Sequence, residues 1–321
     1  MTSEPSSVSI VIPTHNRKDK LIRLIESILQ SNYPKEKLEI IVVDDASTDG
    51  TYEELTKIFS DLIKERKLKI IRNKRDRYST YCRNIGVKYS HGEYIFLIDD
   101  DNIVDKSCIL ELVKTFKQND KIGMVCPLNL WKKEPDVIIA IGGKIPILWR
   151  RLFSRDKYKK LIGKRINFVN LPDTIENCDF CPNAFMIKKD LALKTLPDSD
   201  LFPHNWGEVE WGVKVKQLGY EIICNTKAIV WHDINNPYRI ITRIDNEFKA
   251  YDIAKTRIIF VRKYGVVIDK ILLFITLLLY IVGYIIIALK SSRSRSKRTI
   301  IGAILEGTTH GLFYDFNNLK R

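Results

Sequence analysis

Residues 92–101 read Gly-Glu-Tyr-Ile-Phe-Leu-Ile-Asp-Asp-Asp, a short apolar run closed by three consecutive acids. The run Tyr94–Ile98, aromatic and β-branched without a polar break, predicts a buried strand. Three carboxylates at its end repel one another, and a helix N-cap needs only one of them. A hard divalent cation held through oxygen would relieve the repulsion and bridge to phosphate, which makes Asp99, Asp100 and Asp101 candidates for a Mn²⁺ or Mg²⁺ site.

The preceding ninety residues supply a frame for that strand. Val8–Ile12 is a β-branched run ended by Pro13, and Leu21, Leu24, Ile25 and Ile28 then recur at helical spacing. Leu38–Val43 is a second strand-like run, ending on Asp44 and Asp45. Ser47, Thr48, Asp49 and Gly50 form a turn before a helix-like stretch from Tyr52 to Ile63. Leu68–Ile71 reads as a third strand, followed by a helix through Asn84 and Val87. Strands alternating with helices predict an α/β fold, a mostly parallel sheet flanked by helices on both faces. Ligands of such sheets sit at the carboxyl ends of the strands, where these polar residues fall.

Acids beside a diphosphate suit transfer chemistry in which negative charge grows on a leaving group. Arg75, Arg77 and Arg83, just before the acidic strand, are placed to assist. A hydroxyl acceptor would also need a base, for which Glu208 and Glu210 in Trp206-Gly-Glu-Val-Glu-Trp211 are candidates. Their alternative reading is as ordinary acids at a helix N-terminus. His232, after the apolar run Ala228–Trp231, is a candidate metal ligand.

The chain has 321 residues, 45% hydrophobic and 29% charged, enough for one α/β core and a tail and too apolar for wholesale disorder. Its formal net charge of +14 concentrates in two places, Lys132–Arg165 and Lys290–Arg298. The first holds eleven Lys or Arg against three acids, interleaved with Ile138, Ile145, Ile147, Leu148, Trp149, Leu152 and Phe153. It reads either as a solvated insertion or as a surface for anionic lipid or a phosphate-bearing acceptor. Ile271–Leu289 carries no charge over nineteen residues, about 28 Å as a helix, close to the thickness of a bilayer core. That predicts a transmembrane or membrane-inserted helix; with cations on both flanks, the charge rule for orientation gives no clear side. The domains expected are 1–235, catalytic, and 236–321, a helical tail with an amphipathic end. The six cysteines and an N-terminus without an apolar signal core suit reduced thiols inside the cell. Cys178 and Cys181 have the spacing of half a zinc site, but no second such pair follows, so they are expected to be two small residues in a buried strand.

These residues resemble glycosyltransferase family 2, the inverting GT-A type, and in particular its rhamnosyltransferase-like branch. The resemblance rests on Val8-Ser-Ile-Val-Ile-Pro-Thr-His-Asn-Arg17, Glu39-Ile-Ile-Val-Val-Asp-Asp-Ala-Ser-Thr-Asp-Gly-Thr51, Arg83-Asn-Ile-Gly86 and the 92–101 stretch. Gly142-Gly143, Asn183-Ala-Phe-Met-Ile187 and Gly219-Tyr220 through His232 resemble the acceptor half of that fold. It implies a nucleotide-sugar site around Pro13, Thr14, Asn16, Asp44 and Asp45, with Thr14 and Asp45 against base and ribose, Asp100 near the ribose, and Asp101 with Asp99 on the metal. The family has Glu-Asp before its last helix where this chain has Gly207-Glu208, which puts Glu208 ahead of Glu210 as base. The activity implied is metal-dependent transfer from a nucleotide sugar to a hydroxyl, and the apolar helix adds the expectation of a glycan or lipid-linked acceptor at the cell membrane, on the cytoplasmic side, with no nucleic acid. A polyprenyl-phosphate sugar synthase is the nearest alternative, because such enzymes also carry a hydrophobic tail. A noncatalytic membrane scaffold of the same fold is the remaining one. A sugar-nucleotide pyrophosphorylase would need a Gly-rich loop after the first strand, where this chain has Pro13-Thr-His-Asn-Arg17.

Overall fold

A computed structural model describes residues 4–145, 159–235, 246–291 and 297–316. Arg293 and Arg295, and the apolar residues Ile147, Leu148, Trp149, Leu152 and Phe153 of the basic stretch, lie outside the described residues. The chain divides into two compact units: residues 1–145, 155–197 and 211–238, and residues 146–154, 198–210 and 239–321. The second unit thus takes in 198–210, which a boundary at 235/236 places in the catalytic domain.

The first unit is built on a ten-stranded sheet. β1 (Val8–Thr14), β2 (Leu38–Asp44), β3 (Leu68–Arg72) and β4 (Tyr94–Ile98) form its parallel part in the order β3-β2-β1-β4. Beyond β4 the sheet becomes mixed, a departure from the expected mostly parallel one. β9 (Ala184–Lys188) runs antiparallel to both β4 and β6 (Ile122–Trp131), and β10 (Glu221–His232) is parallel to β6. Two reversals restore direction, so the carboxyl end of β10 lies on the same edge of the sheet as those of β1, β2 and β4. β5 (Asn102–Val104) closes the far edge against β10, while β7 (Glu134–Ala140) and β8 (Thr174–Ile175) add to β6 and β10.

Side chains of the strands alternate between two apolar layers, as pleating requires. Val8, Ile10 and Ile12 face a cluster with Leu21, Leu24, Ile25 and Ile28 of α1 (Lys18–Leu29), whereas Val11 faces the other. α2 (Thr51–Ile58) and α3 (Ser60–Lys64) replace the single helix expected over Tyr52–Ile63, the break falling at Phe59. α5 (Cys108–Phe116) packs on the α1 side; α4 (Tyr78–Lys88), α6 (Lys189–Thr195) and α7 (Gly207–Gln217) place Cys82, Val87, Leu191, Trp211 and Val215 in the other layer. Burying each such side chain is worth about 1.5–3 kcal/mol, which holds the strand ends fixed for the polar residues beyond them.

The basic stretch is partly core. Val137 and Ile138 of β7 are buried, and Arg165 bridges Asp136 at 2.7 Å and Glu134 at 2.6 Å. Cys178 and Cys181 are buried as expected but lie in the loop before β9 rather than in a strand, packed with Cys126 and Cys224, which sit side by side on β6 and β10. Burial pushes the Cys126 and Cys181 thiols up; the Cys178 thiol is raised mainly by its hydrogen bond with Cys126, and by burial. These remain protonated, apolar-like core residues.

The second unit holds α8 (Glu247–Tyr264), α9 (Val267–Ser291) and α10 (Lys297–Phe313). α9 contains a stretch, Val267–Leu289, long and apolar enough to cross a membrane.

Candidate active site

Every strand that ends on the shared edge delivers a polar group there. β1 ends on Thr14, whose hydroxyl donates to Asp100 Oδ2 at 2.7 Å. The next residues turn sharply: Asn16 adopts φ 53°, and its Oδ1 accepts from the Thr48 N–H at 2.7 Å while its own N–H donates to Ser47 Oγ at 2.9 Å. This brace aims Arg17 back over the end of β4. Its Nη1 donates to Asp100 Oδ1 at 2.9 Å and Asp101 Oδ2 at 3.0 Å, and the arginine side chain stays half exposed.

The three side chains of the acid triplet meet different partners. Successive side chains diverge: Asp99 pairs with Arg83 Nη2 at 2.5 Å, Asp100 with Thr14 and Arg17, and Asp101 with Arg17 and His232 Nε2, the last at 3.1 Å. Protein cations therefore relieve the repulsion. Among the described residues no three His, Cys, Asp or Glu side chains come together as a metal-binding group. Asp101 and His232 converge as a pair. Burial works to raise the Asp101 carboxyl, but the His232 hydrogen bond and the charges of His232, Arg17 and Lys20 outweigh it and hold it below the usual range. Asp100, still more enclosed, is pushed up to about 6 by burial, against the pull of Arg17. A carboxylate held below its usual range beside an imidazole nitrogen could ligate a divalent cation.

Other expected residues hold the site's walls. Asp45, at the end of β2, accepts from Asn73 Nδ2 at 2.6 Å and from the Arg77 and Tyr78 N–H groups at 2.9 and 2.7 Å, fixing the loop that starts α4. Arg77 stacks over Tyr81 at 4.3 Å. Asp44 is fully buried and accepts the Ser47 N–H at 3.0 Å, turned away from the triplet. Pro13 is buried within β1, in register with Val43.

Three features escape sequence reading. Arg17 shows only as a motif residue until the Asn16 turn places it. Asp233 accepts from Lys132 Nζ at 3.2 Å and Arg23 Nη2 at 2.5 Å, and its N–H donates to Asp101 O at 2.7 Å, so residues far apart fix the Asp101 backbone. Asn102, Asn129 and Asn183 form a buried amide network under the triplet: Asn183 Nδ2 donates to Asn102 Oδ1 at 2.6 Å and Asn129 Oδ1 at 2.7 Å, and Asn102 Nδ2 donates to Asp99 O at 2.9 Å. Asn183 sits at φ 68°, a region asparagine tolerates better than most residues. A cavity of about 790 Å³ lies elsewhere, beside Gly92–Tyr94 and Lys188–Leu191 near the amino end of β4, with no part of this acid edge in its lining.

The two expected bases belong to the second unit and lie in the first turn of α7. Glu208 is half-buried. Glu210 is fully buried, accepting from the Asp198 N–H at 2.6 Å, Lys263 Nζ at 2.9 Å and Tyr264 OH at 2.6 Å.

The sequence profile of Glycosyl transferase family 2 matches residues 9–181. The chain is 28% identical over 200 residues to the Poly(ribitol-phosphate) beta-N-acetylglucosaminyltransferase TarP of Staphylococcus aureus, covering 59% of this chain and 60% of that one. It is 25% identical over 226 residues to the Poly-beta-1,6-N-acetyl-D-glucosamine synthase of Staphylococcus epidermidis, covering 70% of this chain and 49% of that one. The chain thus spans only about half to three-fifths of those relatives' length. In fold it is similar to the mannosyltransferase PcManGT of Pyrobaculum calidifontis solved with GDP-Man and Mn²⁺, at a TM-score of 0.57 and 15% identity over 97% of this chain and 88% of that one. GalNAc-T7 solved with UDP, GalNAc and Mn²⁺ matches at a TM-score of 0.56 and 20% identity over 80% of this chain and 51% of that one.

Proposed function

The chain belongs to glycosyl transferase family 2, and on that premise we propose that it transfers a sugar from a nucleotide-sugar donor to a hydroxyl of a glycan or lipid-linked acceptor, with inversion. The observation that carries this reading is the convergence of Thr14, Arg17, Asp100, Asp101 and His232 on one sheet edge. Supporting it, both solved neighbours hold Mn²⁺ with a nucleotide or nucleotide sugar, and the similar staphylococcal proteins are named for N-acetylglucosamine transfer or polymer synthesis.

In this reading Thr14, Asp45 and Asp100 line the nucleoside end of the donor site. Asp101 and His232 hold Mn²⁺ or Mg²⁺, which when bound screens the charge that builds on the departing diphosphate. Arg17 bridges Asp100 and Asp101 while Arg83 holds Asp99, which keeps the three carboxylates apart. Glu208 accepts the proton of the acceptor hydroxyl as its oxygen attacks the anomeric carbon; the bond to the diphosphate breaks and its electrons leave with it. Glu210, its oxygens already taken by three donors, fixes the start of α7 rather than touching substrate. The enzyme works at the cytoplasmic face of the cell membrane, held there by the C-terminal helices.

The apolar α9 favours a second reading, a polyprenyl-phosphate acceptor, which would need no carboxylate base. The two readings part on Glu208→Gln: loss of transfer with retained donor binding supports a hydroxyl acceptor, and an unchanged rate supports a lipid phosphate. For the metal, the expected result is a rise in melting temperature with Mn²⁺ plus UDP or GDP in the wild type and none in Asp101→Asn. Undiminished transfer in excess EDTA would overturn the assignment of Asp101 and His232.

A further inference from the structure

The apolar helix of the second unit has one covered and one uncovered face. One face of α9 is occupied: Ala288 is buried and Ile281, Tyr284 and Ile285 pack on Ala250, Ile253 and Ala254 of α8 and on Ile300 and Ile304 of α10. The opposite face is bare. Ile271, Phe274, Ile275, Leu278, Leu279 and Val282 recur three and four residues apart and are exposed, Phe274 to 80% and Leu279 to 71%.

The helices on either side of α9 in sequence touch each other. A Cβ on Gly307 would come within 2.3 Å of Tyr251 O, so α10 approaches α8 at backbone distance there. Further along, Tyr251 OH meets His310 Nδ1 at 2.8 Å and Arg262 Nη1 donates to Gly311 O at 2.8 Å. A single crossing by α9 would leave α8 and α10 on opposite sides of the bilayer, where they could not pack. The other way to keep the contact is to bury all three helices in hydrocarbon. α8 carries Glu247, Lys249, Asp252, Lys255, Arg257, Arg262 and Lys263, and each charge at a bilayer centre costs about 2.5–3.5 kcal/mol even on insertion scales. Arg257 also lies over the Tyr280 ring at 3.7 Å, against the middle of α9.

We propose that α9 does not cross the membrane but lies in its plane, with the Ile271–Val282 face sunk into one leaflet of an anionic bilayer and α8 and α10 together on the aqueous side. Charge supports that partner. Exposed Lys270 precedes the bare face, exposed Lys297 and Arg298 start α10, and the sequence from Lys290 to Arg298 holds five cations and no acid, a pattern that attracts anionic headgroups to a half-immersed helix. The proposal rests on the membrane reading above and specifies its geometry.

The test uses the full chain with one added cysteine on either side of α9, Glu247→Cys or Lys297→Cys; the six native cysteines are buried. In sealed membrane vesicles from expressing cells, a membrane-impermeant maleimide should label both sites to the same extent from the same face. Labelling of one with protection of the other until detergent is added would overturn the in-plane arrangement while leaving membrane association intact. With purified protein and vesicles of phosphatidylcholine and phosphatidylglycerol, Phe274→Asp and Leu278→Asp should each weaken binding about tenfold or more, with the helical circular dichroism unchanged. Failure of the wild type to bind any vesicle, or a dimer in solution that buries this face and excludes lipid, would sink the membrane reading itself.

Discussion

Replacing Asn183 by alanine removes the amide that ties three strands together beneath the acid triplet. Its Nδ2 group serves Asn102 Oδ1 and Asn129 Oδ1, on side chains that are each 1% exposed. Asn102 Nδ2 keeps Asp99 O and Asn129 Nδ2 keeps Pro127 O, but both amide oxygens lose the donor. A buried acceptor left without a partner costs about 1–3 kcal/mol, so two predict a loss of about 2–4 kcal/mol, trimmed because Asn183 is only half-buried and water can reach its place. Alanine at φ 68° adds about 1–2 kcal/mol of backbone strain. Asn183→Gly separates the two effects, since glycine removes the strain but not the missing donor. Urea unfolding of the three proteins should therefore show both variants well below wild type, with glycine recovering only the strain. A glycine variant as stable as wild type would refute the network argument and leave strain as the only role of this position.

Three further outcomes follow from the same packing. Gly86→Ala on α4 would set a Cβ 2.2 Å from Val11 Cγ1; overpacking should cost about 1–3 kcal/mol in urea, and a second change, Val11→Ala, should recover part of it. Glu210→Gln should lower stability by about 2–3 kcal/mol in urea unfolding, because it strips a buried charge from Lys263 and Tyr264; a midpoint unchanged from wild type would contradict its structural role. Asp252 on α8 is buried, accepts from Asn205, and is pushed up to about 6 by burial. Its folded value thus lies above the unfolded one near 4, the native state holds the extra proton between them, and stability falls as pH rises through that window. Asp252→Asn should flatten this fall and raise the melting temperature at pH about 8 relative to pH about 5; an unchanged pH slope would remove Asp252 as its source.

The first hundred residues were the legible part because strand, turn and helix there follow one another locally, and each strand carries its polar terminus with it. Thr14, Asp45 and Asp101 could be placed on a common edge from that order alone. Two things were hidden. The sheet's mixed half depends on β9 entering between β4 and β6, a pairing between segments some ninety and sixty residues apart that no local period encodes. The partners of the triplet are hidden for a different reason: the crowding of like charges is legible in the sequence, but its pairing with Arg17, Arg83 and His232 depends on a left-handed turn at Asn16 and on the register of β10. Composition reports that a charge must be compensated, and only tertiary structure says by what.

The same limit governs the apolar helix. Nineteen uncharged residues satisfy the length of a bilayer core whether the helix crosses it or lies along it, since a sliding window measures transfer free energy and not direction. The distinction is carried by the flanks, and their charges balance, so the usual asymmetry of Lys and Arg has nothing to report. What decides is a pair of glycines forty residues beyond the start of α9. Gly307 and Gly311 let α10 lie backbone to backbone with α8, and in the proposed arrangement that contact keeps both ends of the apolar helix on one side. On that proposal, a side chain at either glycine would push α8 and α10 apart and remove the constraint that would hold α9 in the membrane plane.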